Sequence, residues 1–337
     1  MPNKLPAASG AAIFGCAGLS LSRREQALFR RVDPVGFILF KRNISEPEQV
    51  KALVREMQSC TRSGASLILI DQEGGRVARL GPPHWRKSPP AGKVASVNPA
   101  NAARAMWLHY RLIAAELHDL GVNVDCAPML DVPAPGCDAI IGDRAFGDTP
   151  EQVALLGREA CRGLLAGGVL PVIKHIPGHG RAKVDSHKAL PMVSASCKAL
   201  EAVDFSPFCA LSAMPLAMTA HITYTAIDKE HCATLSPKVV RVIRETIGFN
   251  GLLMTDDLSM HALSGDFAER TRVSLAAGCD VVLHCNGDFA EMEAVADALP
   301  AFSAEGQARL ARALKLLKKP VKFDVAAGLR EFEGLVG

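Results

Sequence analysis

No stretch of this 337-residue chain reaches the roughly 18 uninterrupted apolar residues that a membrane-crossing helix requires. Nor are its basic residues gathered into a run. The net charge is only +3, so the electrostatic footprint by which proteins hold nucleic acid or an anionic membrane is missing. There is no Cys-x-x-Cys among the ten cysteines and no spacing that reads as a disulfide framework. Several of them (Cys126, Cys279, Cys285) sit inside apolar runs, where cysteine behaves as a small hydrophobe, and that usage suits a reducing compartment. No low-complexity linker and no internal repeat divides the chain. The phosphate-cradling Gly-x-Gly-x-x-Gly of dinucleotide folds and the His-Glu-x-x-His of zinc hydrolases are absent as well.

What remains is ordinary globular material, 49% hydrophobic and 22% charged, enough to bury a large core. Lys4 precedes an apolar stretch at 7–18, and Ile-Phe-Gly-Cys at 13–16 faintly resembles a lipoprotein cleavage site. One basic residue and the interruptions Ser9, Gly10 and Gly15 weigh against a leader, and the same stretch is needed as a strand. The expectation is a soluble cytoplasmic protein, acting as a monomer on a small-molecule substrate, with no nucleic-acid or membrane partner.

Short apolar runs alternate with amphipathic stretches, the signature of βα units and a parallel sheet. Candidate strands are 11–16, 36–40, 66–71, 122–128, 169–175, 215–221, 251–257 and 279–285, nearly continuously hydrophobic as strands covered on both faces must be. Helical patterns occupy 22–32, 47–60, 99–120, 150–166, 198–213, 237–247 and 266–277, and a last helix at about 302–319 is expected to close the chain. Pro47, Pro150 and Pro237 follow Glu46, Thr149 and Ser236; proline is tolerated in a first helical turn, where its missing N–H costs nothing. Gly121, Gly248 and Gly278 stand where helices should stop. Eight such strands predict an α/β chain forming one (β/α)8 TIM-type barrel over 1–337 rather than an open doubly wound sheet.

Barrels carry their chemistry on loops at the C-terminal strand ends. Polar residues do gather there: Asp71, Asp125, Lys174 with His175, His221, Asp256 with Asp257, and His284 with Asn286. The densest cluster is Lys-His-Ile-Pro-Gly-His-Gly-Arg-Ala-Lys-Val-Asp-Ser-His at 174–187, just after the fifth strand. Asp185 and His187 can form a dyad in which the carboxylate holds the imidazole in one tautomer. A solvated surface loop and a metal site are the duller readings of the same residues.

This segment resembles the loop signature K-H-[FI]-P-G-H-G-x4-D-[ST]-H of bacterial β-N-acetylglucosaminidases in glycoside hydrolase family three, where it marks the cytoplasmic enzyme of peptidoglycan recycling. The blocks at 71–80 (DQEGGRVARL), 142–147 (GDRAFG) and 255–263 (TDDLSMHAL) resemble the family's others in the right order, so the likeness runs from about residue 11 to 290. Thr255 departs mildly, since serine is commoner there. The resemblance implies a retaining enzyme that removes terminal GlcNAc from 1,6-anhydro-MurNAc muropeptides. Asp256 would be the nucleophile, His187 the acid/base and Asp185 its tuning partner. Asp71, Arg79, Arg144, Lys174 and His175 would bind the sugar. No metal or cofactor is implied.

The chemistry is coherent in itself. A retaining glycosidase needs a nucleophile on one face of the sugar and an acid/base on the other, usually two carboxylates about 5–5.5 Å apart. An imidazole of pKa about 6.5 can both give and take a proton near neutrality. A loop-borne histidine is expected to be mobile and displaced from Asp256 without ligand. Alternation along a strand allows only one of Asp256 and Asp257 to face the mouth, and the family alignment selects Asp256.

Other roles stay open. Asp71 could cap a turn, Arg144 could pair with Asp143 or Asp148, and Lys174 could sit in an internal salt bridge. His221 and His284 are expected to line the site, whereas His109, His118 and His231 read as ordinary surface or helix histidines. Trp85, in the proline-rich loop 81–90, is either a rim over the site or a packed turn. Rival functions are a phosphorylase using the same site, a metal-dependent barrel hydrolase drawing on His175, His179, His187, Asp71 and Asp256, and a silent sugar-binding barrel.

Overall fold

The computed structural model describes residues 10–62, 64, 66–184, 186 and 190–337. Asp185 and His187, the expected acid/base pair, lie outside the described residues. Eight parallel strands, one in each expected segment, close into a barrel: β1 (Gly10–Phe14), β2 (Pro34–Leu39), β3 (Leu67–Ile70), β4 (Val124–Asp125), β5 (Leu170–Ile176), β6 (Leu216–Thr219), β7 (Leu252–Asp257) and β8 (Val281–His284). Each pairs with its sequence neighbours, and β1 pairs with β8 to complete the ring. The expected (β/α)8 architecture is therefore what the chain adopts.

Alternation splits the apolar side chains into two cores. One parity, including Leu67 and Leu69 of β3, Leu170 and Val172 of β5, and Leu252 and Met254 of β7, fills the barrel. The other, including Ile68, Ile173 and Leu253, packs outward with the surrounding helices. Helix Ala304–Leu314 adds Leu310 and Ala313 to the inner core. Its Arg309 reaches Asp280 at 2.7 Å and its Arg312 the Asn250 carbonyl at 3.0 Å. Those partners precede β8 and β7, so this helix closes the N-terminal end and leaves the C-terminal end for chemistry.

Local signals set the helix starts. Ser22 and Glu25 form a reciprocal capping box, while Thr149 and Ser236 cap the helices opened by Pro150 and Pro237. Gly121, Gly248 and Gly278 take the left-handed conformation (φ 81°, 77° and 111°) that ends a helix at little cost only for glycine.

Two of the helix expectations are corrected. The 198–213 stretch is not one helix: Cys197–Ala199 gives way to wider turns at Leu200–Asp204 and resumes as Ser206–Ala210, because Pro207 has no N–H to continue the ladder. The 302–319 helix is shorter, Ala304–Leu314, and the chain instead closes with Val325–Val336. That last helix docks through Phe332 stacked on His109 and through an Arg104–Glu331 pair. The sequence reading also missed Phe289–Ala298, although Asp288 capping the Glu291 N–H is a recognisable start.

Candidate active site

A cavity of about 320 Å³ opens at the C-terminal mouth of the barrel. Asp71, Arg79, Arg144, Lys174, His175, Asp256 and Asp257 line it, together with Arg76 and an apolar flank that includes Phe40, Met218 and Met260. Strand parity explains most of this. Asp71, Lys174 and Asp256 continue the inward-facing series of β3, β5 and β7. Asp125 and His284 continue outward-facing series, and both are buried behind the barrel. His284 packs between Phe14 and Phe267 and meets Glu291 at 3.0 Å, so it does not line the cavity as expected. Asp125 accepts from the Gln72 N–H, and burial pushes its carboxyl well above the usual range.

Alternation fails at two places, for the same reason. On β5, Lys174 pairs with Met218 but Ile176 with Thr219, two residues advancing against one. On β7, Met254 pairs with Val281 and Asp257 with Leu283, three against two. A bulge re-aims the residue after it, and His175 and Asp257 thereby reach the cavity beside Lys174 and Asp256. The expectation that only one aspartate of the 256–257 pair could face the mouth is therefore wrong. The Asp257 carboxylate accepts from Ser259 N–H (3.0 Å), Ser259 Oγ (2.5 Å) and Cys285 N–H (3.1 Å), while Asp256 Oδ1 accepts the Asp257 N–H at 2.8 Å.

The floor is an ion network centred on a residue the sequence reading overlooked. Glu73, 2% exposed, takes both oxygens to Arg144 at 2.8 Å and is 2.7 Å from Lys174 Nζ. Lys174 also meets Asp71 at 3.0 Å, and Asp71 meets Arg79 at 3.0 Å. Arg144 thus pairs with neither Asp143 nor Asp148; Asp143 is 3.2 Å from Arg76 instead. Burial alone would raise both carboxyls, but Arg144 and Lys174 hold Glu73 far below its usual range, and Lys174 and Arg79 hold Asp71 below its own. Burial likewise disfavours the lysine charge, yet Asp71 and Glu73 keep Lys174 raised and protonated. Three cations and two anions thus interlock in the floor.

Asp131, also missed, organises the loop after β5. Its Oδ2 accepts from His175 Nδ1 at 2.7 Å and its Oδ1 from the His179 N–H at 2.6 Å. Burial would raise the Asp131 carboxyl, but the two histidines bring it below the usual value. His175 Nδ1 is therefore the donor to an ionised Asp131 carboxylate, which fixes the orientation of the imidazole ring. Burial and the adjacent His175 bring His179 down to about 4, so it is neutral near pH 7, and its Nε2 lies 3.2 Å from Ser186 Oγ. Ser186, His175 and Asp256 line one small recess beside the cavity.

Three further histidine and aromatic expectations resolve here. His221 is fully buried and does not line the cavity. His109 is no surface residue: it is fully buried, donates from Nε2 to the Glu73 carbonyl at 3.2 Å, and is brought down to about 3 by burial and by Arg86. Trp85 packs on the outer core as a structural turn rather than forming a rim. Among the described residues, the one trio of ligand atoms close enough to share an ion is Asp228, Glu230 and His231, outside the cavity. No helix among the described residues is long and apolar enough to cross a membrane.

Residues 17–316 match the glycosyl hydrolase family 3 N-terminal domain. A β-hexosaminidase of Alkalilimnicola ehrlichii is 38% identical over 284 residues, spanning 82% of this chain and 81% of its own. The structure of NagZ from Neisseria gonorrhoeae in complex with N-trifluoroacetyl-D-glucosamine superposes with a TM-score of 0.88 at 30% identity, covering 99% of this chain and 100% of that one. A family 3 β-N-acetylglucosaminidase from Paenibacillus sp. str. FPU-7 gives 0.81 at 32% identity, over 97% of this chain and 62% of that one.

Proposed function

The chain belongs to glycosyl hydrolase family 3 and is a β-N-acetylhexosaminidase, and from that premise we propose that it is a retaining exo-enzyme releasing terminal GlcNAc from GlcNAc-1,6-anhydro-MurNAc muropeptides during cytoplasmic cell-wall recycling. The observation that carries the mechanistic reading is the recess shared by Asp256 and Ser186. Ser186 immediately precedes His187 in the chain, so a nucleophile on β7 and an acid/base on the loop after β5 have the connectivity to meet over one sugar. Asp256 attacks the anomeric carbon as the glycosidic C–O bond breaks, giving a glycosyl-enzyme ester. His187, oriented by Asp185, protonates the departing oxygen. It then takes a proton from water, which displaces the Asp256 carboxylate and restores the β configuration.

The cavity suits a single terminal sugar unit rather than an extended chain. Asp71 offers carboxylate oxygens to sugar hydroxyls, Arg79, Arg144 and Lys174 offer donors, and His175 presents Nε2. Because Asp71 is held ionised and Lys174 protonated by each other, both keep these roles across the neutral range.

Hydrolysis of an aryl β-N-acetylglucosaminide in EDTA, followed by NMR, tests the assignment. Release of β-GlcNAc supports it; α-GlcNAc would reject retention, and turnover only with added metal would reject the ion-free site. Formation of GlcNAc 1-phosphate when phosphate is added would make the enzyme a phosphorylase. His187→Ala should slow substrates with poor leaving groups by about 10²–10⁴-fold while affecting activated aryl glycosides far less in the first step, because only the former need a proton there. Equal losses on the two substrate types would remove His187 from the acid role.

A further inference from the structure

Behind the cavity, three buried polar side chains form a ring around the Asp256–Asp257 peptide. Thr219, His221 and Thr234 are each fully buried. The β7 bulge creates the need for them. The last regular β6–β7 pair is Met218 with Met254, and beyond it the β7 backbone must find other partners. The Asp256 N–H donates to Thr219 Oγ1 at 3.3 Å, and the Asp257 carbonyl accepts from His221 Nε2 at 3.0 Å. Between these points Thr219 Oγ1 lies 2.8 Å from Thr234 Oγ1, which lies 2.7 Å from His221 Nδ1.

One ordering of protons satisfies the ring. A carbonyl can only accept, so His221 carries its proton on Nε2. Burial, outweighing Asp256, lowers the imidazole's proton affinity, so Nδ1 is a bare acceptor. Thr234 must then give its single hydroxyl proton to Nδ1, in preference to the Ala220 carbonyl at 3.3 Å. Thr219 must give its own to Thr234, which leaves the Thr219 oxygen to receive the Asp256 N–H. Every link points the same way round.

We propose that Thr219, Thr234 and His221 are positioning residues that grip the Asp256–Asp257 peptide at its two ends and so set the attack geometry of the Asp256 carboxylate. The proposal rests on the reading of Asp256 as nucleophile. None of the three lines the cavity, and the sugar-binding side chains Asp71, Arg144 and Lys174 come from other segments. Loosening the ring therefore acts on kcat and leaves KM in place, which a merely structural role would not do.

The test uses the full-length enzyme and an aryl β-N-acetylglucosaminide. Thr219→Val keeps shape and removes the hydroxyl, while Thr219→Ser keeps the hydroxyl. The valine variant should lose about 10- to 100-fold in kcat, the cost of a misplaced reacting group, with KM within about twofold of wild type. The serine variant should recover most of that loss. Thr234→Val should behave alike, and the double valine variant should be little worse than either single one, because one ring is broken only once. A folded Thr219→Val enzyme with unchanged kcat would overturn the proposal, as would a loss that serine fails to recover. Should Thr219→Val not fold, Thr234→Val and His221→Gln, the latter keeping a donor and an acceptor, put the same question at the other corners. Wild-type enzyme without turnover on this substrate would instead bring down the assignment of Asp256, and the proposal with it.

Discussion

Replacing Asp256 by alanine is expected to lower kcat by on the order of 10⁴-fold or more, the scale seen when a group that forms the covalent intermediate is removed. The residual rate should not be supplied by Asp257, although both aspartates reach the cavity. The Asp257 carboxylate is committed to the Ser259 N–H, the Ser259 hydroxyl and the Cys285 N–H, and through Cys285 it ties the mouth of β8 to that of β7. Asp257→Ala should accordingly show first as a loss of stability and only second as a loss of rate. Steady-state rates on an aryl glycoside, together with urea midpoints, separate the two. Full activity in Asp256→Ala with collapse in Asp257→Ala would reverse the assignment. Cys285 also faces the cavity, but burial raises its thiol well above the usual range, so it is no substitute nucleophile.

The largest effect on stability is expected at Glu73. Glu73→Ala would leave Arg144 without its bidentate partner and Lys174 with Asp71 alone, in a site where Lys174 and Glu73 side chains are each 3% exposed. Removing one partner of a buried pair typically costs about 3–5 kcal/mol, because the remaining charge stays desolvated. Urea unfolding near pH 7 measures this; a change under about 1 kcal/mol, the worth of a surface pair, would mean that the floor relaxes to admit solvent. The same pair carries a pH signature. Glu73's folded pKa is depressed, so the unfolded chain binds its proton first on acidification. Its stabilisation is complete above the unfolded pKa of about 4.3 and drains away as pH falls below it. Wild type should show that acid-side slope, and Glu73→Ala should show less of it. Activity should fall too, as a rise in KM, since Glu73 orients two of the side chains proposed to hold the sugar.

Much of this was legible in the chain itself. The eight strands announce themselves by continuous apolar runs, because a strand covered on both faces has no room for polar alternation. Helix starts at Ser22, Pro47, Pro150 and Pro237 and stops at Gly121, Gly248 and Gly278 follow from local backbone chemistry. The placement of Asp71, Lys174 and Asp256 at the mouth also follows locally, since each continues the inward parity of its strand. Asp125 and His284, by the same count, point away; parity applied strand by strand would have removed them from the site beforehand.

Tertiary structure alone decided the rest, because the deciding interactions join segments far apart in sequence. Two bulges, visible only as register against β6 and β8, brought His175 and Asp257 to the cavity against their parity. Glu73 meets Arg144 and Lys174 only because β3, β5 and the segment before Phe146 converge at one barrel end, so nothing beside Glu73 in the chain marks it as the centre of the floor. His109 looks like any histidine on a helix until Phe332, more than two hundred residues later, covers it. Sequence specified the barrel and the identity of its chemical groups, since those depend on local periodicity and residue type. Which groups face the sugar, and which hold the others in place, depended on how the closed barrel aligned eight strand ends around one cavity.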